Sequence, residues 1–255
     1  MKATYGTLLK EWRETRRISQ LGLSLSANVS SRHISFLETG RSRPSRDMVL
    51  NLAENLEVPR GTRNTMLQAA GFAPAYQARD LLDDDMAMVG DALNWVLSRH
   101  DPYPAIVLDR HWQIVNLNKC ATLLLGGAGI GIGDSLLAIS DDAELFKSLV
   151  ENWQEVAHHM VHRLRTEAQY WGEDEFLTEC ANTLEHKFGR ASPNADSISK
   201  PIVPTVYRVG ETRLSLFSTL SQFSTAEDIA LADLKIEHMF PADEETRAFL
   251  TSMAG

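Results

Sequence analysis

The chain has very little cysteine. Cys120 and Cys180 are its only two, sixty residues apart, with no Cys-x-x-Cys and no Cys/His finger spacing, which excludes a disulfide scaffold and a zinc finger. Long hydrophobic runs are missing too: no apolar stretch approaches the roughly 18 residues a membrane helix needs, and the N-terminus carries no signal-peptide pattern. A cytoplasmic protein without a membrane partner is expected. Internal repeats and low-complexity tracts are absent. Gly-x-Ser-x-Gly, a phosphate loop and a nucleotide fingerprint are absent as well; Gly129-Ile130-Gly131-Ile132-Gly133 is glycine-rich but does not follow a strand as a fingerprint requires. These absences weigh against an enzyme, and no cofactor is expected.

What is present divides the chain in two. Its 255 residues, 44% of them hydrophobic, suffice for two globular domains, each with its own core. Residues 1–76 carry eleven basic against six acidic residues, a net of +5, whereas residues 77–255 carry 14 basic and 28 acidic, a net of −14. A basic head on an acidic body suits a protein that binds nucleic acid at one end. Helical spacing of apolar residues recurs at Leu8, Leu9 and Trp12, at Met48, Val49, Leu52, Ala53 and Leu56, and at Met66, Leu67 and Ala70. About five short helices follow in the first 72 residues. Ser19, Ser30 and Ser45 each precede such a stretch, where a hydroxyl caps a first turn.

The central two helices, with Leu23, Ala27, Val29, Ile34 and Leu37 inward, form a helix-turn-helix around Asn28-Val29-Ser30. The string from Ser19-Gln20 through Ser31-Arg32-His33-Ile34-Ser35-Phe36-Leu37-Glu38 to Arg41-Ser42-Arg43-Pro44 resembles the Cro/repressor-like, XRE-type family. The resemblance implies a double-stranded DNA operator as partner. It places Ser30, Ser31, Arg32 and Ser35 towards base edges, Phe36 at a thymine methyl, Gln20 on a phosphate, and Arg13, Arg41 and Arg43 along the backbone. Three places depart from the family pattern: Leu21-Gly22, Ser24 and Asn28. Asn28 suits a left-handed turn. Gly22 removes the acid that completes a capping box with Ser19 and costs about 1 kcal/mol relative to alanine, so a softened first motif helix is expected.

The domain boundary is placed at Gly71–Tyr76, giving 1–76 and 77–255. Beyond it, a helix over Asp91–Arg99 precedes a strand at Pro104–Leu108, a turn at Asp109-Arg110-His111, and a second strand at Trp112–Leu117. Asn118 caps a helix over Lys119–Leu125 that stops at Gly126-Gly127. A long helix is read from Phe146 to Ala168. The hairpin and capped helix resemble the opening of a PAS-type domain, and with the head they resemble the MmyB-like regulators, through Trp153, Arg163-Leu164-Arg165, Val206-Tyr207 and Leu214–Phe217. The expected fold is therefore mixed: a five-helix helix-turn-helix domain followed by a PAS-like α+β domain with an antiparallel sheet. The resemblance implies a small hydrophobic ligand such as a fatty acid between sheet and helices, and the ligand-binding domain also serves a homodimer.

From the residues, one pocket wall is assigned to Val107, Ile114, Val206, Leu214 and Leu216, and the other to Leu123, Leu124, Trp153 and Met160. Simple core packing is the commoner role for any single one of them. An arginine, Arg163 or Arg165, with His159 or His162, is assigned to a ligand carboxylate; surface pairing with a nearby glutamate is the commoner fate of such an arginine. Glu155, His158 and His162 also have metal-ligand spacing. The catalytic zinc motif, however, places glutamate directly after the first histidine, where this chain has His159, and no second Glu-x-x-His occurs. No metal is expected. Two functions stand: a ligand-responsive transcription regulator that is not an enzyme, and, as the alternative, a DNA-binding protein whose second domain runs metal-assisted or acid-base chemistry on the His158/His162 helix.

Overall fold

The computed structural model describes residues 3–81, 83–140, 142–189, 202–223 and 226–253. They form two compact units. One comprises Met1–Arg79, Glu167–Asp174 and Thr225–Ala232, the other Asp80–Thr166, Glu175–Ser224 and Asp233–Gly255, so the division is not a single cut in the chain.

The first unit holds five helices, α1 (Tyr5–Thr15), α2 (Gln20–Ser26), α3 (Ser31–Glu38), α4 (Arg46–Asn55) and α5 (Arg60–Ala69). Ser19, Ser30 and Ser45 cap three of them, each accepting from the amide three residues on, which satisfies a donor that the first turn leaves orphaned. Ser19 does so through the Gly22 amide at 2.9 Å, so its cap forms without the missing acid. Asn28 takes φ 54°, the left-handed turn expected of it, and Gly40 and Gly71 take φ 71° and 89° at helix ends. Gly61 instead lies in the first turn of α5. Leu9, Leu23, Ile34, Leu37, Leu52, Leu56 and Met66 are fully buried in one core. Gly6 sets how closely α1 approaches α3: a Cβ there would stand 2.5 Å from the Leu37 carbonyl oxygen and 2.6 Å from that of Glu38.

The second unit begins with α6 (Ala87–His100) and the hairpin β1 (Ala105–Leu108) and β2 (Ile114–Leu117). Helices α7 (Lys119–Gly126), α8 (Ala143–Leu149), α9 (Trp153–Tyr170) and α10 (Glu175–Phe188) follow, α9 running into the first unit's residues at Glu167. Next come β3 (Thr205–Val209), β4 (Thr212–Gln222), a single turn α11 (Ile229–Ala232) that belongs to the first unit, β5 (Lys235–Pro241) and α12 (Glu244–Met253). The five strands pair antiparallel in the order β2-β1-β5-β4-β3. This is the α+β arrangement with an antiparallel sheet that the PAS-like resemblance implies.

Two local readings are corrected. The strand expected from Trp112 starts at Ile114, because Trp112 takes φ 66° and turns its ring into the core. The single long helix from Phe146 is two, α8 and α9. Between them Val150 bridges Tyr207, the Glu151 amide donates to the Val206 carbonyl at 2.8 Å, and the Asn152 side chain bonds the Pro204 carbonyl and the Val206 amide. The break gives backbone groups of edge strand β3 partners they would otherwise lack.

Two outcomes are expected. Helix propensity alone favours Gly6→Ala by about 1 kcal/mol, but overpacking at the α1–α3 crossing costs typically 1–3 kcal/mol, so net destabilisation is expected in urea titrations. Burial pushes the Asp233 carboxyl up to about 6, with Asp109 adding to the shift and Arg110 and His111 opposing it. The folded state therefore holds a proton that the unfolded state releases, and this stabilisation, complete below about 3.8, is lost as pH rises through about 6. Asp233→Asn is expected to be more stable than the parent at pH about 7.5 and indistinguishable from it near pH 4 in thermal melts.

Candidate functional site

Two surfaces carry chemistry, one in each unit. On α3, Ile34 and Leu37 face the core while Ser31 and Arg32 are exposed and Ser35 and Phe36 are half-exposed. The helical period thus leaves one polar face outward. The Arg32 guanidinium lies 5.2 Å from the Phe36 ring centroid, a cation–π contact that stiffens a long side chain. Ser30 is exposed but its oxygen caps α3 by accepting from the His33 amide. Arg41 and Arg43 are exposed on the segment after α3, and Arg46 is exposed in the first turn of α4.

Arg13 is a correction. Its side chain is turned inward: Nε and Nη2 donate to Glu38 at 2.6 and 3.1 Å and Nη1 to the Ile18 carbonyl at 2.9 Å. Glu38 also accepts from the Gln20 amide at 2.7 Å. One buried carboxylate therefore ties α1 and α2 to the end of α3. It orients Gln20 at the start of the first motif helix, since an amide NH2 has two hydrogens and only one goes to Glu38. Nothing in the spacing of the sequence marks Glu38 for this role.

The second unit contains a cavity of about 280 Å³ between the sheet and its helices. Helix α9 contributes Val156, His159, Met160 and Arg163, spaced i, i+3, i+4, i+7 along one helix face, and α7 contributes Ala121, Leu124 and Leu125, with Ala128 in the turn that follows it. The sheet contributes Ile106, Thr205, Tyr207, Val209, Leu214, Leu216, Ser218, Glu237 and Met239. Registers agree with this: Ile106 pairs Glu237, Tyr207 pairs Leu214, and Ser218 pairs Met239, and directly paired residues share a face. Of the thirteen residues assigned from sequence, Leu124, His159, Met160, Arg163, Leu214 and Leu216 line the cavity.

The other seven do not. Val107 and Val206 alternate to the opposite face from Ile106 and Tyr207, the result of the two-residue period. Ile114 is buried away from the cavity, and Leu123 is half-exposed on α7. Trp153 packs on Phe188 in a cluster that shares Phe146, Val156 and Met160 with the cavity wall, but does not itself line it. His162 is exposed, and Arg165 pairs with Glu185 at 2.8 Å on the surface. His158 is likewise exposed and off the cavity, and the described residues contain no group of three potential metal ligands.

The cavity wall is mostly apolar, with Ser140, His159, Thr205, Arg208 and Ser218 among its polar residues, and an ion pair stands at one region of it. There the Arg163 nitrogens Nη1 and Nη2 each lie 3.5 Å from an oxygen of Glu237, whose side chain is 8% exposed. The same guanidinium stacks 4.1 Å from the centroid of the Trp112 ring, which Lys235 also approaches at 4.2 Å. Burial pushes the Tyr207 hydroxyl up to about 12, and the charge of Glu237 adds to the shift, so this phenol stays protonated. Trp112, Phe146, Tyr207, Arg208 and Glu237 are among the polar and aromatic lining residues that sequence reasoning missed. Tyr207 was within reach of a parity argument; Glu237 was not, because an acid in a strand reads as solvent-facing.

A helix-turn-helix head and a sheet domain with an apolar cavity define a DNA-binding regulator with a ligand-binding module. The model of the MmyB-like transcription regulator ligand binding domain matches residues 89–253, and a helix-turn-helix model matches residues 9–61. The chain belongs to the MmyB-like transcription regulators. No curated protein matches it. Among solved structures it is similar to the PAS domain of BvgS from Bordetella pertussis, at 12% identity and a TM-score of 0.30, over 64% of this chain and 96% of that one. It is also similar to an RNA-binding light-oxygen-voltage receptor, at 13% identity and a TM-score of 0.28, over 97% of this chain and 63% of that one. No helix among the described residues is long and apolar enough to cross a membrane.

For the DNA surface, Arg32→Ala is expected to lose roughly 1–3 kcal/mol on the preferred operator and far less on scrambled DNA, whereas Gln20→Ala weakens both evenly. Fluorescence anisotropy on the two duplexes checks this, and equal loss for Arg32→Ala on both would refute its role as a base reader.

Proposed function

We propose that this regulator binds its operator as a homodimer, with α3 of each copy in the major groove, and that an acyl-chain molecule in the second unit's cavity modulates the binding. The observation that carries the reading is the cavity itself: about 280 Å³ walled by aliphatic side chains, inside the segment that matches the ligand-binding family model. A cavity lined this way favours a flexible hydrocarbon, and a fatty acid is the simplest such molecule. Dimerisation supports control of DNA binding, because two recognition helices must meet successive major grooves about 34 Å apart. A ligand that binds one spacing better than the other shifts the population towards it. The metal-assisted alternative finds no support at His158 and His162, which lie exposed and off the cavity.

Native mass spectrometry of the purified protein, followed by organic extraction, is expected to find an alkyl-chain molecule and no stoichiometric metal. Delipidated protein reloaded with a saturated fatty acid or its amide is expected to change operator affinity, and Met160→Trp, which fills the cavity, is expected to abolish that response while leaving basal operator binding intact. Stoichiometric zinc or iron, or an operator affinity indifferent to every acyl compound, would sink the reading.

A further inference from the structure

The geometry points to the outward face of α6 as the surface through which two copies of this chain pair, α6 against α6 and antiparallel. This rests on the homodimer reading above and names the surface which that reading leaves open. Leu93 and Leu97 hold α6 to its own unit. On the opposite side, at the helical period, Met88 is 83% and Trp95 61% exposed, with exposed Ala92 between them and exposed Arg99 one turn beyond Trp95. Apolar residues scattered singly over a surface need no explanation. Two large ones on one stripe are different, because tryptophan and methionine are enriched where proteins meet. The Arg99 guanidinium lies 5.8 Å from the Trp95 ring centroid, a cation–π contact that restrains both side chains before any partner arrives.

The charges at the two ends of the stripe decide what covers it. Asp84 is exposed in the single 3₁₀ turn Asp84–Met86 that leads into α6, and Arg99 is exposed in the last turn of α6. A second copy laid antiparallel answers this pattern. With Met88 opposite the second copy's Trp95, Asp84 stands opposite the second copy's Arg99, since each lies four residues further out. The two-fold axis then falls between Asp91 and Ala92, where the small Ala92 side chain lets the helices approach. Asp91, exposed on the flank beside that axis, stays in water, which screens it from its counterpart. The contact is isologous, so each pair is made twice, and antiparallel helices also set opposite ends of their macrodipoles side by side. A parallel pair would set Arg99 on Arg99. Helix α6 has 14 residues and is therefore about 21 Å long and about 10–12 Å across, so one face of it falls short of the roughly 800 Å² per partner of a standard interface. The pair is accordingly weak in dilute solution and firm where an operator holds two copies at high effective concentration.

The test is sedimentation equilibrium of the full-length protein without DNA, over roughly 1 μM to 1 mM, where a reversible monomer–dimer transition is expected. Trp95→Ala, at a solvent-facing position, is expected to raise the dissociation constant about tenfold or more. Asp84→Arg and Arg99→Asp are each expected to weaken the dimer several-fold, and the double variant, which restores opposite charges in reversed order, to recover most of that loss. A dissociation constant unchanged by Trp95→Ala, or a double variant that associates no better than the single ones, overturns the inference and leaves the homodimer reading to some other surface. Should Trp95→Ala fail to fold, the charge reversal alone decides. A parent protein that stays monomeric to the top of the range overturns the inference as well. If native mass spectrometry then also finds one copy per operator duplex, the homodimer reading falls with it.

Discussion

Every residue of β1 is buried, and that one constraint organises the second unit. A strand covered on both faces needs packing partners on each, and α6 and α7 pack against it. Because side chains alternate, a sheet that shows Ile106 and Glu237 to the cavity must send Val107 to the other face. The cavity is therefore a gap in the covering of one face, and α9 closes it with residues one helical face apart. Its walls are shared with the core, so ligand and fold draw on the same aliphatic surface.

The head shows a different economy. Its core is small, and a carboxylate, Glu38, is spent inside it to hold two other helices, with Arg13 as its charged partner. Buried ion pairs contribute little net stability, because desolvation offsets much of the attraction. Their value is geometric: the fork of Arg13 fixes where Glu38 stands, and Glu38 fixes Gln20. A family motif that lists its outward residues does not display this inward bracing, although the outward residues depend on it for their placement.

Much of the fold was legible because it is written in local chemistry. The caps at Ser19, Ser30, Ser45 and Asn118, the left-handed Asn28 and the hairpin turn are all decided within a few residues of themselves. The DNA-reading face of α3 was legible for the same reason, a helical period with Ile34 and Leu37 inward. Tertiary pairing decided what was missed. Whether Val206 or Tyr207 faces the cavity depends on the register with β4; whether the chain stays helical at Val150 depends on an edge strand some fifty residues later. Glu237 and Arg13 were hidden by a sound rule, that charged residues face water, which fails where two charges find each other inside.

Asn118 carries more than its role as a cap. Its side-chain oxygen accepts from the amides of Ala105 and Ala121 at 3.0 and 2.9 Å, and its nitrogen donates to the carbonyls of Tyr103 and Leu97 at 2.7 and 3.4 Å. Four backbone groups, from α6, the approach to β1, β1 itself and α7, converge on one amide that is 4% exposed. Hydrolysis of that amide to aspartate, an ordinary event of protein ageing, exchanges two donors for an oxygen that confronts two carbonyls. The lifetime of the domain is in this sense tied to the chemical survival of a single C–N bond, and burial is what shields that bond from water.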